Sequence, residues 1–223
     1  MTTIAILGSG RVAANLADKL GAAGHSVLIG TRNPAAATES WAGLPVTFTT
    51  AREAADRAGI VINATPGDSS PQRLRALRDV LRGKVLVDIA NATRRGPDGL
   101  PGGLCFPDSS LAEVLQDALP ETRVVKTLNT MLFTVMTNPR LLATPPTAFL
   151  SGADPAAKDL VRGLLGDLGW PPEWIEDLGG IDTARGTEAL VLLVPALLRK
   201  HGPRPFALTI ARELLQSSSV TVD

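Results

Sequence analysis

Residues 3–34 read TIAILGSGRVAANLADKLGAAGHSVLIGTRNP. The aliphatic run 3–7 has the composition of a strand buried on both faces. It passes directly into GSGRVA, Gly8 to Ala13, which fits the pattern G-x-G-x-x-G/A. Val12, Leu16 and Leu20 then recur at helical spacing over about 11–23, and a second aliphatic run, SVLIG, ends at Thr31-Arg32-Asn33. Strand, glycine turn, helix and strand in this order make a dinucleotide-binding unit. Gly8 permits the tight turn. At Gly10 a side chain would hold the backbone away from a pyrophosphate. Ala13 is small enough for the helix to pack closely on the strand, and the helix N-terminus offers free N–H groups to the anion.

The end of the second strand selects the cofactor. A site preferring NAD carries Asp or Glu there, bonded to the ribose 2′-hydroxyl. LIGTRNPAAA has none. Arg32 instead offers a planar, permanently charged fork suited to a 2′-phosphate, and Thr31 adds a hydroxyl. The cofactor expected is therefore NADP(H).

Outward from this unit the alternation continues. PVTFTT (45–50), IVINA (60–64), KVLVDIAN (84–91), TRVVKTLN (122–129) and TAFLSG (147–152) read as strands. Helices are expected between them: one capped by Thr50 and reaching Arg57, another over PQRLRALRDVLRG (71–83), and SSLAEVLQDAL (109–119) with Ser109 or Ser110 as cap. A helix is also expected over about 130–138. PDGLPGGLCFP (97–107) and NPRLLATPPT (138–147) read as surface loops. The pattern predicts an α/β fold with a doubly wound, mainly parallel sheet of Rossmann type. We expect an NADP-binding domain over 1–153 and a small helical C-terminal part over 154–223 that completes the cleft. That part holds a helix to about Leu168, the apolar TEALVLLVPALLRK (187–200), expected as a buried helix kinked at Pro195, and a final piece over 206–216.

Bulk properties narrow the function. The 223 residues carry 22 basic and 22 acidic side chains, so no electrostatic footprint for nucleic acid shows. No apolar run reaches the roughly 18 residues of a membrane span. The opening run has neither a basic leader nor a cleavage site, and a cytoplasmic protein is the expectation. The lone Cys105 forms no internal disulfide, and with His25 and His201 the only histidines, no metal site is expected.

Three loops, INATPGDSS, DIANAT and KTLNTM, leave the carboxyl edge of the sheet, where ligands bind in open α/β folds. Thr65, Asn91, Asn129 and Thr130 are candidates to meet the nicotinamide or a second substrate. Lys126 is a candidate general acid, but a lysine that ends a strand reads more readily as a solvated residue. His25 reads as a loop residue, and His201 as a complement to the end of a helix. Arg185 either reaches the cleft or pairs with Asp182 or Glu188. No nucleophile with its base, paired carboxylates or metal set emerges, which points to hydride transfer with little protein acid–base help.

Taken together, GTRNP, VINATP, VKTLNT and the late DLGGIDTAR resemble the F420H2:NADP oxidoreductase family over nearly the whole chain. The reductase domains of the STEAP metalloreductases look similar too. The resemblance implies that Ser9, Arg11 and Val12 join Gly8 and Gly10 at the phosphates, and that Thr31, Arg32 and Asn33 hold the 2′-phosphate end. It further implies that Ala64, Thr65, Asn91 and Asn129 line the nicotinamide cleft, with coenzyme F420 as the stacked co-substrate. A homodimer through the C-terminal helices is expected. The competing readings are an NADPH-dependent reductase of a small imine or carbonyl metabolite, and a non-catalytic NADPH sensor.

Overall fold

A computed structural model describes residues 1–39, 41 and 43–211. Strand β1 (Thr3–Leu7) leads into α1 (Arg11–Ala22), then β2 (Ser26–Gly30), α2 (Pro34–Glu39), β3 (Thr47–Thr49), α3 (Ala51–Arg57) and β4 (Ile60–Asn63). Two short helices, α4 (Ser70–Arg75) and α5 (Arg78–Leu81), precede β5 (Val85–Asp88). A hairpin of β6 (Thr93–Arg95) and β7 (Pro101–Leu104) is followed by α6 (Leu111–Ala118) and β8 (Arg123–Lys126). Among the described residues β3, β2, β1, β4, β5 and β8 lie side by side in that order, each pair parallel. The order reverses direction between β1 and β4, which opens a crevice at their carboxyl ends.

Alternation along each strand divides the core in two. Ile4 and Ile6 of β1, with Ile62, Val87 and Val125, face α1. Ala5 and Leu7, with Val61, Leu86 and Val124, face α3 to α6. Helix caps fix where the elements start. The Thr50 hydroxyl accepts the Glu53 N–H at 3.2 Å and opens α3. Ser110, rather than Ser109, does the same for Glu113 N–H at 3.1 Å and opens α6.

After β8 come α7 (Phe133–Met136), β9 (Ala148–Leu150), α8 (Pro155–Asp167) and β10 (Ile175–Asp177), with β9 and β10 paired in parallel. Asp154 caps α8 by accepting the Ala157 N–H at 2.7 Å. Val161, Leu165 and Trp170 join the same half-core as β1, and the Trp170 indole donates to the Met136 carbonyl at 2.9 Å. Helices α9 (Ala184–Ala189) and α10 (Val194–His201) flank a single 3₁₀ turn over Leu190–Leu193.

Several expectations are corrected. The helix expected over 71–83 divides at Ala76-Leu77, where Leu77 leaves helical geometry (φ −109°, ψ 10°). The loop expected over 97–107 contains β7. A turn closed by Gly96 N–H to Leu100 O at 2.8 Å, with Gly99 at φ +75°, lets that glycine-rich stretch pair with β6. The helix expected over 130–138 shrinks to α7 because 130–132 bond instead to an extended segment: Leu132 N–H to Phe206 O at 2.9 Å and Leu208 N–H to Thr130 O at 3.2 Å. The apolar stretch 187–200 is neither continuous nor wholly buried. Pro195 sits in the first turn of α10, where its missing N–H costs nothing, and Leu192 and Leu193 are 43% and 48% exposed. The final piece expected over 206–216 lies outside the described residues from 212 onward.

Candidate functional site

The glycine turn has the form a phosphate needs. Gly8 adopts φ +116°, and a Cβ there would stand 2.6 Å from the Ala64 carbonyl oxygen, so the β1 turn and the β4 loop touch at this point. Gly10 is the extended N-cap of α1, and a Cβ built on it meets nothing within 4 Å. The space that a side chain would fill is open, directly before the unpaired first-turn N–H groups of α1. That turn carries no acid, and Ala13 is fully buried behind it.

Beside the turn lies a cleft of about 600 Å³ between the ends of β1, β2 and β4. Gly8, Ser9, Gly10, Thr31, Arg32, Ala64 and Thr65 all line it. The Ser9 and Thr31 hydroxyls are 3.2 Å apart, which ties the phosphate turn to the end of β2. Arg32 is exposed at the rim, and among the described residues no carboxylate pairs with it. Asn33 does not line this cleft; its side-chain oxygen accepts the Ala36 N–H at 3.2 Å at the start of α2. Sequence reasoning missed the opposite wall, formed by Arg73, Leu74 and Leu77. The signal was available: they follow the β4 loop directly, on α4 and the bend just after it.

A second cavity, of about 220 Å³, opens beside Val12 at the start of α1. Val12, Asn91, Asn129 and Thr130 meet there with an apolar wall from Phe133, Val191 and Leu197. Asn91 and Asn129 are locked reciprocally: the Asn91 amide donates to the Asn129 carbonyl at 2.8 Å, and the Asn129 amide donates to the Asn91 side-chain oxygen at 3.0 Å. Leu128, a non-glycine residue at φ +59°, makes the turn that delivers Asn129. Arg11 turns toward this region, its guanidinium 5.3 Å from the centre of the Phe133 ring.

Behind the loops runs a buried polar chain. The Thr65 hydroxyl donates to Asn63 Oδ1 at 2.6 Å, and Asn63 Nδ2 donates to Asp88 Oδ1 at 2.8 Å. Asp88 Oδ2 pairs with Lys126 Nζ at 2.8 Å, and Lys126 also pairs with Glu188 at 2.8 Å. The solvated Lys126 expected from sequence is therefore corrected: it is 1% exposed. Burial alone would pull its pKa down, but the Asp88 and Glu188 carboxylates outweigh that and raise it. It stays charged, held between the two carboxylates. Glu188, which the sequence offered only as a partner for Arg185, sits 4% exposed on α9.

Arg185 makes neither contact expected of it. It forks onto Glu113 of α6, at 2.6 Å for the closest pair. The bond from Arg185 holds the Glu113 carboxyl below its ordinary range; burial opposes this, and the Ser110 and Ser109 hydroxyls assist. His25 lies in the α1–β2 loop as expected, with Nε2 3.0 Å from Asp167. His201 ends α10 with Arg199 and Lys200, where basic groups suit the helix dipole. Cys105 is a half-buried free thiol after β7. Among the described residues no group of three or more His, Cys, Asp or Glu could hold a metal ion, and no helix is long and apolar enough to cross a membrane.

Comparison with known proteins identifies the family. Residues 3–92 match the family model described as NADP oxidoreductase coenzyme F420-dependent. A crystal structure from Arthrobacter sp. FB24, of a protein provisionally named an F420-dependent NADP-reductase, is 39% identical. It superposes with a TM-score of 0.85, covering 95% of this chain and 100% of that one. The F420-dependent NADP reductase of Methanocaldococcus jannaschii is 27% identical over 153 residues, 67% of this chain and 66% of that protein. Metalloreductase STEAP3 of Rattus norvegicus is 32% identical over 196 residues, 86% of this chain, and the match spans only 37% of that protein. With a phosphate turn, an acid-free end to β2 and full-length likeness to the Arthrobacter protein, this chain belongs to the family of coenzyme F420-dependent NADP oxidoreductases.

Proposed function

We propose that the protein passes a hydride between NADP(H) and coenzyme F420 or a similarly planar acceptor. The observation that carries this reading is the open space before Gly10, bordered by Thr31 and Arg32 with no carboxylate at the end of β2. NADP(H), when bound, supplies the hydride donor or acceptor; the chain supplies placement. The first-turn N–H groups of α1, with Ser9, Arg11 and Val12, hold the pyrophosphate. Arg32 and Thr31 hold the 2′-phosphate, with Arg73 on the facing wall. Asn33 acts there through the loop that it caps. Ala64, Thr65, Asn91 and Asn129 orient the nicotinamide end.

The second cavity would receive the acceptor. Its wall of Phe133, Val191 and Leu197 excludes water, and a flat ring needs position more than acid–base groups, since reacting carbons must approach to roughly 3–3.5 Å. The C-terminal part from 154 onward, described as far as residue 211, completes this cleft in our reading. The exposed Leu192 and Leu193 support a homodimer, and the lone cysteine is consistent with a cytoplasmic setting.

The test is anaerobic mixing of the protein with NADPH and F420, following loss of the deazaflavin's visible absorption. Stereospecifically deuterated NADPH should pass its label to F420. Cyclic imines, carbonyl compounds and ferric chelates run as controls. NADPH oxidation by any of these in preference to F420 sinks the reading, as does binding without oxidation.

A further inference from the structure

Lys126 lines neither cavity, yet its ammonium is bonded to segments that lead to both. It donates to the carbonyl of Ala90, one residue before Asn91. It belongs to the strand whose loop carries Asn129, three residues on. Through Asp88 and Asn63 it reaches the Thr65 hydroxyl at the edge of the cofactor cleft. Through Glu188 it reaches α9, whose continuation supplies Val191 and Leu197 to the second cavity.

The charges are arranged to hold this geometry. One ammonium faces two carboxylates. The remaining negative charge lies against the start of α6, where Leu111 N–H donates to Glu188 Oε2 at 2.8 Å and Ala112 N–H to Oε1 at 3.1 Å. A buried ion network is weak as a source of stability, because well-packed apolar residues do as well or better. What the network adds is direction: each bond fixes the angle and distance of one loop relative to the others.

We infer that Lys126 and Glu188 are positioning residues, which set the apolar wall of the second cavity against the Thr65, Asn91 and Asn129 loops and so set the distance of hydride transfer. This rests on reading the second cavity as the acceptor site.

Lys126→Met would strand two buried carboxylates and is a poor first probe. Glu188→Gln keeps the length and removes the charge, while Glu188→Asp keeps the charge and shortens the reach. Both are compared with the parent for thermal midpoint, calorimetric NADPH affinity, emission of bound NADPH, and kcat and KM with F420. The adenosine and phosphate contacts lie elsewhere, so NADPH affinity should stay within about twofold. Emission of the bound nicotinamide should fall, and kcat/KM for F420 should drop about tenfold or more, the scale of sub-ångström misplacement. Lower thermal midpoints with unchanged emission and unchanged F420 kinetics overturn the inference. So does failure of both variants to fold, which would assign the network to stability alone. A parent that does not reduce F420 removes the acceptor assignment, and the positioning inference is then decided by the emission of bound NADPH in the variants.

Discussion

Two glycines two positions apart are constrained for opposite reasons. Gly8 is held by the protein: φ +116° and the Ala64 carbonyl at 2.6 Å exclude any side chain. Gly8→Ala should therefore destabilise the fold by about 1–3 kcal/mol, read as a lower denaturant midpoint without ligand. Nothing in the protein meets a Cβ at Gly10, and on our proposal it is the cofactor that requires glycine there. Gly10→Ala should fold with an unchanged midpoint and lose about tenfold or more in NADPH affinity by calorimetry, the scale of a lost bond to a charged group. An unchanged affinity would show that the pyrophosphate does not lie on this turn. Arg32→Ala should weaken NADPH by about 1.5–3 kcal/mol and NADH far less. Equal affinities of the parent for both cofactors would contradict the role of Arg32. The turn at Gly8 and the acid-free end of β2 at Arg32 were legible in the sequence because their chemistry is local. Lys126 was not: a lysine at a strand end is solvated unless distant segments bring it carboxylates, and Asp88 and Glu188 do so from 38 and 62 residues away.

At the scale of elements, α9 is fastened to α6 twice, by Glu188 on the first N–H groups of α6 and by Arg185 on Glu113. The Arg185 pair has a definite pH signature. Bonding by Arg185 depresses the Glu113 carboxyl below its ordinary value of 4.5, so the pair contributes stability above that pH and loses it as pH falls through the depressed value. Arg185→Ala should thus lower the thermal midpoint at neutral pH, with the deficit shrinking below pH 4.5 and in high salt. A deficit that does not change with pH would mean that Arg185 acts only by packing. On the other half-core Trp170 joins α7 to α8 through its bond to Met136 at 2.9 Å, and it is 2% exposed. Trp170→Ala should cost about 3–5 kcal/mol in chemical denaturation. The capped helices α3 and α6 were readable because Thr50 and Ser110 act within three residues. The division of α4 from α5 and the shortening of α7 were not, because packing and the returning segment 206–208 override local propensity.

For the whole molecule, the expected dimer should appear in light scattering as twice the chain mass at micromolar concentration. Leu193→Glu, which charges an exposed apolar position, should shift the equilibrium toward the monomer. A parent that stays monomeric at every concentration ends that proposal. The doubly wound, mainly parallel sheet and the glycine turn after β1 were written in the sequence, because parallel strands buried on both faces leave continuous aliphatic runs and a tight turn there needs glycine; the strand order and the crevice between β1 and β4 came only with the fold. The presence of two cavities, the wall that Phe133, Val191 and Leu197 share, and the pairing of Asn91 with Asn129 were settled only by folding. These contacts join residues 38 to about 100 positions apart, whose partners no local pattern names. A periodicity tells a side chain which face to bury, but only the packed sheet decides what stands opposite it.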